Sequence, residues 1–196
     1  MRRKVYLYSR FERLWHWGQA FLIIFLLLTG FEIHGSLHLW GYERAYLWHV
    51  YAGVALVILT FLAIFWHLTT GAWRHYRPVK EKIPQIIHYY LVGIFRGEPH
   101  PFEKRPDQKL NPLQRLAYLF LKLVLFPLQF ITAFLLLSYQ WWPLLGYQGD
   151  FRTLALYHTL GAFAFLFFLI IHVYLATTGR PWYSHLRGMI LGWEEL

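Results

Sequence analysis

The sequence predicts an all-α membrane protein: a four-transmembrane-helix bundle with both termini cytoplasmic, and a long cytoplasmic linker carrying a short interfacial helix. Three observations carry that expectation. The 196 residues are 57% apolar and only 15% charged, with a mean hydropathy of +0.33, against about 45–50% and about 25% in an average soluble domain. Four stretches reach the roughly 20 apolar residues that a helix needs to cross a hydrocarbon core. Lys and Arg gather on one side of those stretches. So little charge cannot coat a water-soluble globule, and 21% aromatic residues exclude disorder.

The first stretch, Leu14–Ile33, follows Arg2, Arg3 and Lys4 as a signal peptide would. Its apolar run exceeds a signal core of about 7–15 residues and no small-residue cleavage site follows, so it reads as a retained helix. The second is Tyr46–Leu68, the third Leu123–Trp142 and the fourth Leu154–Thr177, each bounded by Gly, Pro or charge. Between the second and third runs a linker, 69–112. Within it Ile83–Phe95 is apolar but too short to span, which suits a helix lying in the interface. Glu98–Pro112 carries prolines at 99, 101, 106 and 112 and reads as an extended excursion. All 196 residues are expected to form one integral-membrane domain.

Sixteen Lys and Arg fall in residues 1–13, the linker through Arg115 and the tail, against two, Arg44 and Arg152, on the other side. By the positive-inside rule the termini and linker face the cytoplasm of a bacterial or archaeal inner membrane. Lys122, near the predicted start of the third helix, snorkels to the same side. All ten Trp stand near the ends of the apolar runs or outside them, as interfacial belts do. The net charge of +9 is therefore topology, and nucleic acid is excluded as a partner while membrane lipid is required. The chain has no cysteine, which excludes disulfides, thiolate zinc sites, iron–sulfur clusters and haem attached through CxxCH.

Eleven histidines are present, and several stand at membrane depth, where ionisable residues are rare and functional by default. His158 and His172 are 14 residues apart, about 40° short of four full turns, so they share one helix face about 21 Å apart. His16 lies at the inner level on the first helix and His49 at the outer level on the second. Two stacked His–His pairs suit two non-covalent haems in a bundle core. His67 follows His49 by five full turns and competes with His16 for the inner iron; helix geometry alone leaves both open. Gly30, Gly53 and Gly161 fall where a porphyrin would approach a helix backbone, and equally where helices pack. His34 and His38 have metal-pair spacing but sit in a loop without further ligands.

The motifs R-L-W-H-W (Arg13–Trp17), W-H-V-Y-A-G (Trp48–Gly53), K-L-N-P-L-Q-R (Lys109–Arg115), the His158/His172 pair and S-H-L-R-G-M-I-L-G-W-E-E (Ser184–Glu195) together resemble the prokaryotic dihaem cytochrome b membrane anchors. These are the hydrogenase b-type cytochromes, formate dehydrogenase gamma subunits and thiosulfate reductase cytochrome b subunits. The resemblance implies His16–His172 at a cytoplasmic haem and His49–His158 at an outer haem. It also implies a quinone pocket near Asn111 and Gln114, with His67 as neighbour, although Asn-Pro is also a helix-start signal.

The implied function is quinone-reactive transfer of electrons across the membrane, to or from a partner on the outer face. That partner is a multihaem c-type or iron–sulfur subunit, because a cysteine-free chain holds neither centre itself. His67, His16, Glu194 and Glu195 are candidates for proton delivery. The alternatives are a haem-free ion or proton pathway, which would prefer acidic partners at membrane depth, and a stand-alone quinol oxidase of a small acceptor.

Overall fold

The computed structural model describes residues 4–102, 104–105, 107–146, 148–179 and 181–195. Arg2, Arg3, Pro106 and Arg180, used in the charge and proline readings, lie outside the described residues. Strand β1 (Lys4–Tyr6) precedes α1 (Arg10–Ile33) and α2 (Tyr42–Thr70). The linker holds α3 (Ile83–Leu91). A third span, Pro112–Leu137, combines α4 (Pro112–Phe120), a π-helical turn (Leu121–Leu125) and α5 (Phe126–Leu137). The fourth is α6 (Phe151–Ala176), followed by α7 (Ser184–Leu191) and β2 (Trp193–Glu195), which forms a two-stranded sheet with β1. Among the described residues four helices are thus long and apolar enough to cross a membrane. Their large side chains point outward: Phe21, Phe61, Phe134 and Phe167 are 67, 67, 70 and 66% exposed, the surface a lipid solvent selects.

The chain forms two compact units. One comprises Tyr6–Ala72 with His172–Glu194. Here α1 opens on a reciprocal capping box: Glu12 N–H donates to Ser9 Oγ (3.2 Å) and Ser9 N–H to Glu12 Oε2 (2.7 Å), satisfying two orphan donors. At its other end Glu32 is buried, and its Oε1 accepts from Leu39, Trp40 and Gly41 N–H at 3.0, 2.6 and 2.6 Å. One carboxylate therefore folds the whole α1–α2 loop. The buried residues of α2 are Ala45, Ala52, Leu56, Ala63 and His67. Their 7-4-7-4 spacing is a single seam, and alanines in it let α1 approach closely. Gly71, with φ +75, stops α2.

The tail of this unit returns to the start of α1. Arg13 donates to the Ile190 carbonyl (2.6 Å) and the Trp17 indole to that of Met189 (3.2 Å). Leu7 and Tyr8 N–H both donate to Gly192 O. The buried Glu194 accepts from His185 Nδ1 at 2.6 Å.

The other unit holds Trp73–Ile171 and the short terminal pieces. Its third span begins at Pro112, eleven residues before the predicted Leu123, and ends at Leu137 rather than Trp142. Asn111 caps it and Pro112 occupies the first turn, so the helix starts inside what reads as linker. Lys122 is consequently interior to the span and not at its start. Its ammonium lies 3.2 Å from the centroid of the Tyr76 ring, a cation–π contact that holds a charge where lipid would not. Arg115 is also buried, donating to the carbonyls of Leu110 (3.0 Å) and Arg77 (3.4 Å). The third span meets α6 through Tyr118–Phe168 and Phe126–Phe165 ring contacts.

Before α6, Asp150 accepts from the Thr153 hydroxyl and amide and from the Arg152 amide. The bonds from Thr153 hold its carboxyl below the usual range. The short apolar linker segment is helical as expected, over Ile83–Leu91, with a 3-10 turn at Gly93–Arg96.

Candidate functional site

The first histidine pair lies within one unit. His16 of α1 faces His172 of α6, ring centroids 6.0 Å apart and planes tilted by 52°. Two imidazoles holding one metal ion from opposite sides, each through a bond of about 2 Å, would have centroids roughly 6 Å apart. His16 Nδ1 is buried and has no hydrogen-bond partner among the described residues. His67 stands differently. Its Nδ1 donates to the Ala63 carbonyl one turn back (2.6 Å), and its ring meets Trp15 and Trp66 edge-on, each at 5.1 Å.

His49 and His158, one in each unit, share a common local arrangement. In the first unit Thr29 of α1 gives its hydroxyl proton to the Phe25 carbonyl (2.8 Å) and lies 2.9 Å from His49 Nδ1. In the second Thr132 of α5 donates to Leu128 O (2.6 Å) and lies 2.9 Å from His158 Nδ1. A hydroxyl has one proton, and a carbonyl can only accept. Each threonine oxygen therefore accepts from Nδ1–H, which places the ring lone pair on Nε2. Gln129 adds a bond from its Nε2 to the His158 carbonyl (3.1 Å).

The glycines differ among themselves. A Cβ on Gly30 would stand 3.3 Å from His49 Cε1, and one on Gly161 3.1 Å from the Gln129 amide. A Cβ on Gly53 would meet nothing within 4 Å. Gly30 and Gly161 are thus packing glycines against the histidine and its supporter, and Gly53 borders open space.

This donor set fits a porphyrin. Among the described residues no three His, Cys, Asp or Glu converge, so a bare metal ion would lack ligands. A haem iron needs only two from protein, because the macrocycle fills the other four positions. His49 and His158, with tautomers that offer Nε2, and the facing pair His16 and His172 are the imidazoles that would fit such positions.

A family model for prokaryotic cytochrome b561 matches residues 7–192. The chain belongs to the prokaryotic cytochrome b561 family. A cytochrome of Escherichia coli (strain K12), named YdhU, is 32% identical over 199 residues, covering 98% of this chain and 75% of that protein. A protein of Rhodobacter capsulatus, named as a Ni/Fe-hydrogenase B-type cytochrome subunit, is 28% identical over 204 residues, 89% of this chain and 74% of its own. One of the same name from Rhizobium leguminosarum bv. viciae is 29% identical over 206 residues, covering 89% of this chain and 81% of its own. This b561-family protein is accordingly a multi-pass b-type cytochrome of the prokaryotic inner membrane, an electron carrier. Membership sets aside the haem-free ion pathway.

In this cytochrome Asn111 and Gln114 form a reciprocal capping box. Gln114 N–H donates to Asn111 Oδ1 (2.8 Å) and Asn111 N–H to Gln114 Oε1 (3.0 Å). Asn111 Nδ2 also donates to the Tyr90 hydroxyl (3.0 Å), which lies 3.3 Å from His100 Nε2. Burial pushes the Tyr90 phenol above its ordinary range, and the Asn111 bond partly offsets that. Asn111→Ala should lower stability by about 1 kcal/mol, whereas Asn111→Asp, an equally good cap, should recover most of it. Thermal unfolding in detergent, followed by circular dichroism, checks this; equal losses in both variants would assign the stability to the Tyr90 bond instead.

Sequence reasoning missed Thr29, Thr132, Gln129 and His185. An intramembrane threonine in an apolar run is a weak signal for the first two; nothing local marks the others.

Proposed function

We propose that this cytochrome is a quinone-reactive, dihaem electron wire and the membrane subunit of an oxidoreductase complex. The observation that supports it most is the His16–His172 pair, two imidazoles from different helices with rings 6.0 Å apart. In this reading they hold an inner haem, and His49 with His158 holds an outer one, as the resemblance implies. Fourteen residues of α6 separate His158 from His172, about 21 Å of helix. When bound, each haem iron accepts and releases one electron at a time. The chain's own histidines would present the nitrogens that hold it, and the exposed Phe and Leu of the spans would exclude water.

Quinone or quinol would react near the inner level, where the resemblance implies Asn111 and Gln114, with His67 as a neighbour. The surplus of Lys and Arg on the linker side supports cytoplasmic termini. Two relatives bear the name of hydrogenase cytochrome subunits. That supports an oxidoreductase partner; in this reading it docks on the outer face and carries multihaem or iron–sulfur centres, which a chain without cysteine cannot hold itself.

The test is a dithionite-reduced minus oxidised spectrum of the purified protein, with haem counted per chain, repeated with a quinol as the reductant. Two b-type haems reduced by quinol are expected. One haem, or two that quinol leaves oxidised, would overturn the wire. Purification with no second subunit, together with quinol oxidation by a small acceptor, would make it a stand-alone quinol oxidase.

A further inference from the structure

Thr29 and Thr132 are among the most buried polar side chains of the described residues, at 0 and 5% exposure. Each stands on the helix beside a histidine, bonds back to its own carbonyl four residues earlier, and approaches Nδ1 at 2.9 Å. Helix back-bonding alone would satisfy a threonine hydroxyl on any face. Two threonines on different helices, each approaching Nδ1 of its own histidine in the same way, call for a second role.

We propose that Thr29 and Thr132 are positioning residues that set the reduction potential of the outer haem through the Nδ1 of His49 and His158. This rests on the reading that those histidines ligate that haem. The chemistry runs along a chain of three groups. The hydroxyl proton goes to the backbone carbonyl, which makes the oxygen a better acceptor. The oxygen draws on Nδ1–H, the ring gains basicity at Nε2, and a more basic axial nitrogen favours ferric over ferrous iron. His16 Nδ1 has no such acceptor among the described residues, so this device acts at the outer level and not through His16. Its contribution lowers the potential of the outer haem.

The experiment is a spectroelectrochemical titration of the intact purified protein carrying Thr29→Val or Thr132→Val, with Thr→Ser at each site and haem counted throughout. Valine keeps the shape and removes the oxygen; serine restores it. Each valine variant should shift the ferric–ferrous equilibrium of one haem roughly tenfold toward ferrous, about 59 mV for one electron. The other haem should not move, and serine should return the shifted one to its place. Loss of the outer haem in a valine variant, recovered with serine, supports the same role. Two haems with unchanged potentials, or a loss that serine does not recover, would overturn it. His49→Ala and His158→Ala separate the two levels of the argument: if both retain two haems, the ligand reading itself has failed, whatever the threonines do.

Discussion

Alanine at His16 is expected to reduce the haem content from two per chain to one, while alanine at His67 leaves two. Both histidines face the protein interior at the inner level, and helix periodicity treats them alike. Their surroundings do not. His16 lies opposite His172 at 6.0 Å between ring centroids, the separation that one iron between two imidazoles requires. His67 is turned onto its own helix at Ala63 O and wedged against Trp15 and Trp66. A pyridine haemochrome count on both variants and on His172→Ala, with His172 matching His16, checks the assignment. Loss of haem at His67 with retention at His16 would exchange their roles.

The second large effect is expected at Gly192. Its φ of +87 lies in the left-handed region, where a side chain costs about 1–2 kcal/mol. A Cβ there would also stand 2.6 Å from Tyr6 Cε2 and 2.8 Å from the Tyr8 carbonyl oxygen. The second of these is backbone and cannot swing aside. Gly192 O also anchors Leu7 and Tyr8 N–H, and its own N–H reaches Gly188 O. Gly192→Ala should therefore release the tail, withdrawing the carbonyls of Met189 and Ile190 from Trp17 and Arg13 and parting Glu194 from its place beside Gly188. Limited trypsin digestion should cut at Arg187 several-fold faster than in wild type. An unchanged digestion rate would mean that the tail is held by the His185–Glu194 bond and not by Gly192.

Much of the fold was legible in the sequence because spanning a membrane is a property of composition over about 20 residues. Boundaries were less so. The third span starts eleven residues before its expected Leu123 because Lys122 reads as an end in sequence; only the position of the Tyr76 ring shows how that side chain is housed. The histidine pattern was legible because His158 and His172 lie on one helix, where 3.6-residue geometry is exact enough to compare faces. Thr29 and His49 lie on different helices, 20 residues apart across a loop shaped by Glu32. Their meeting depends on how the helices register against each other, and no period in the sequence records that. Asn111 and Gln114 illustrate a different limit. Their spacing serves a capping box and a polar pocket equally well, and the hydrogen bonds show the first use fulfilled.

The π-helical turn at Leu121–Leu125 bears on how this chain can change over time. A π turn accommodates one residue more than the α-helix around it. Everything after it in the third span, including Gln129 and Thr132, is thereby rotated by about 100° relative to an uninterrupted helix. The loss of a single leucine there would close the turn into ordinary α-helix and leave both residues on the histidine they serve, whereas the loss of one residue between Phe126 and Gln129 would swing them off it. The π turn is thus the place where the residue count of this span is freest to drift.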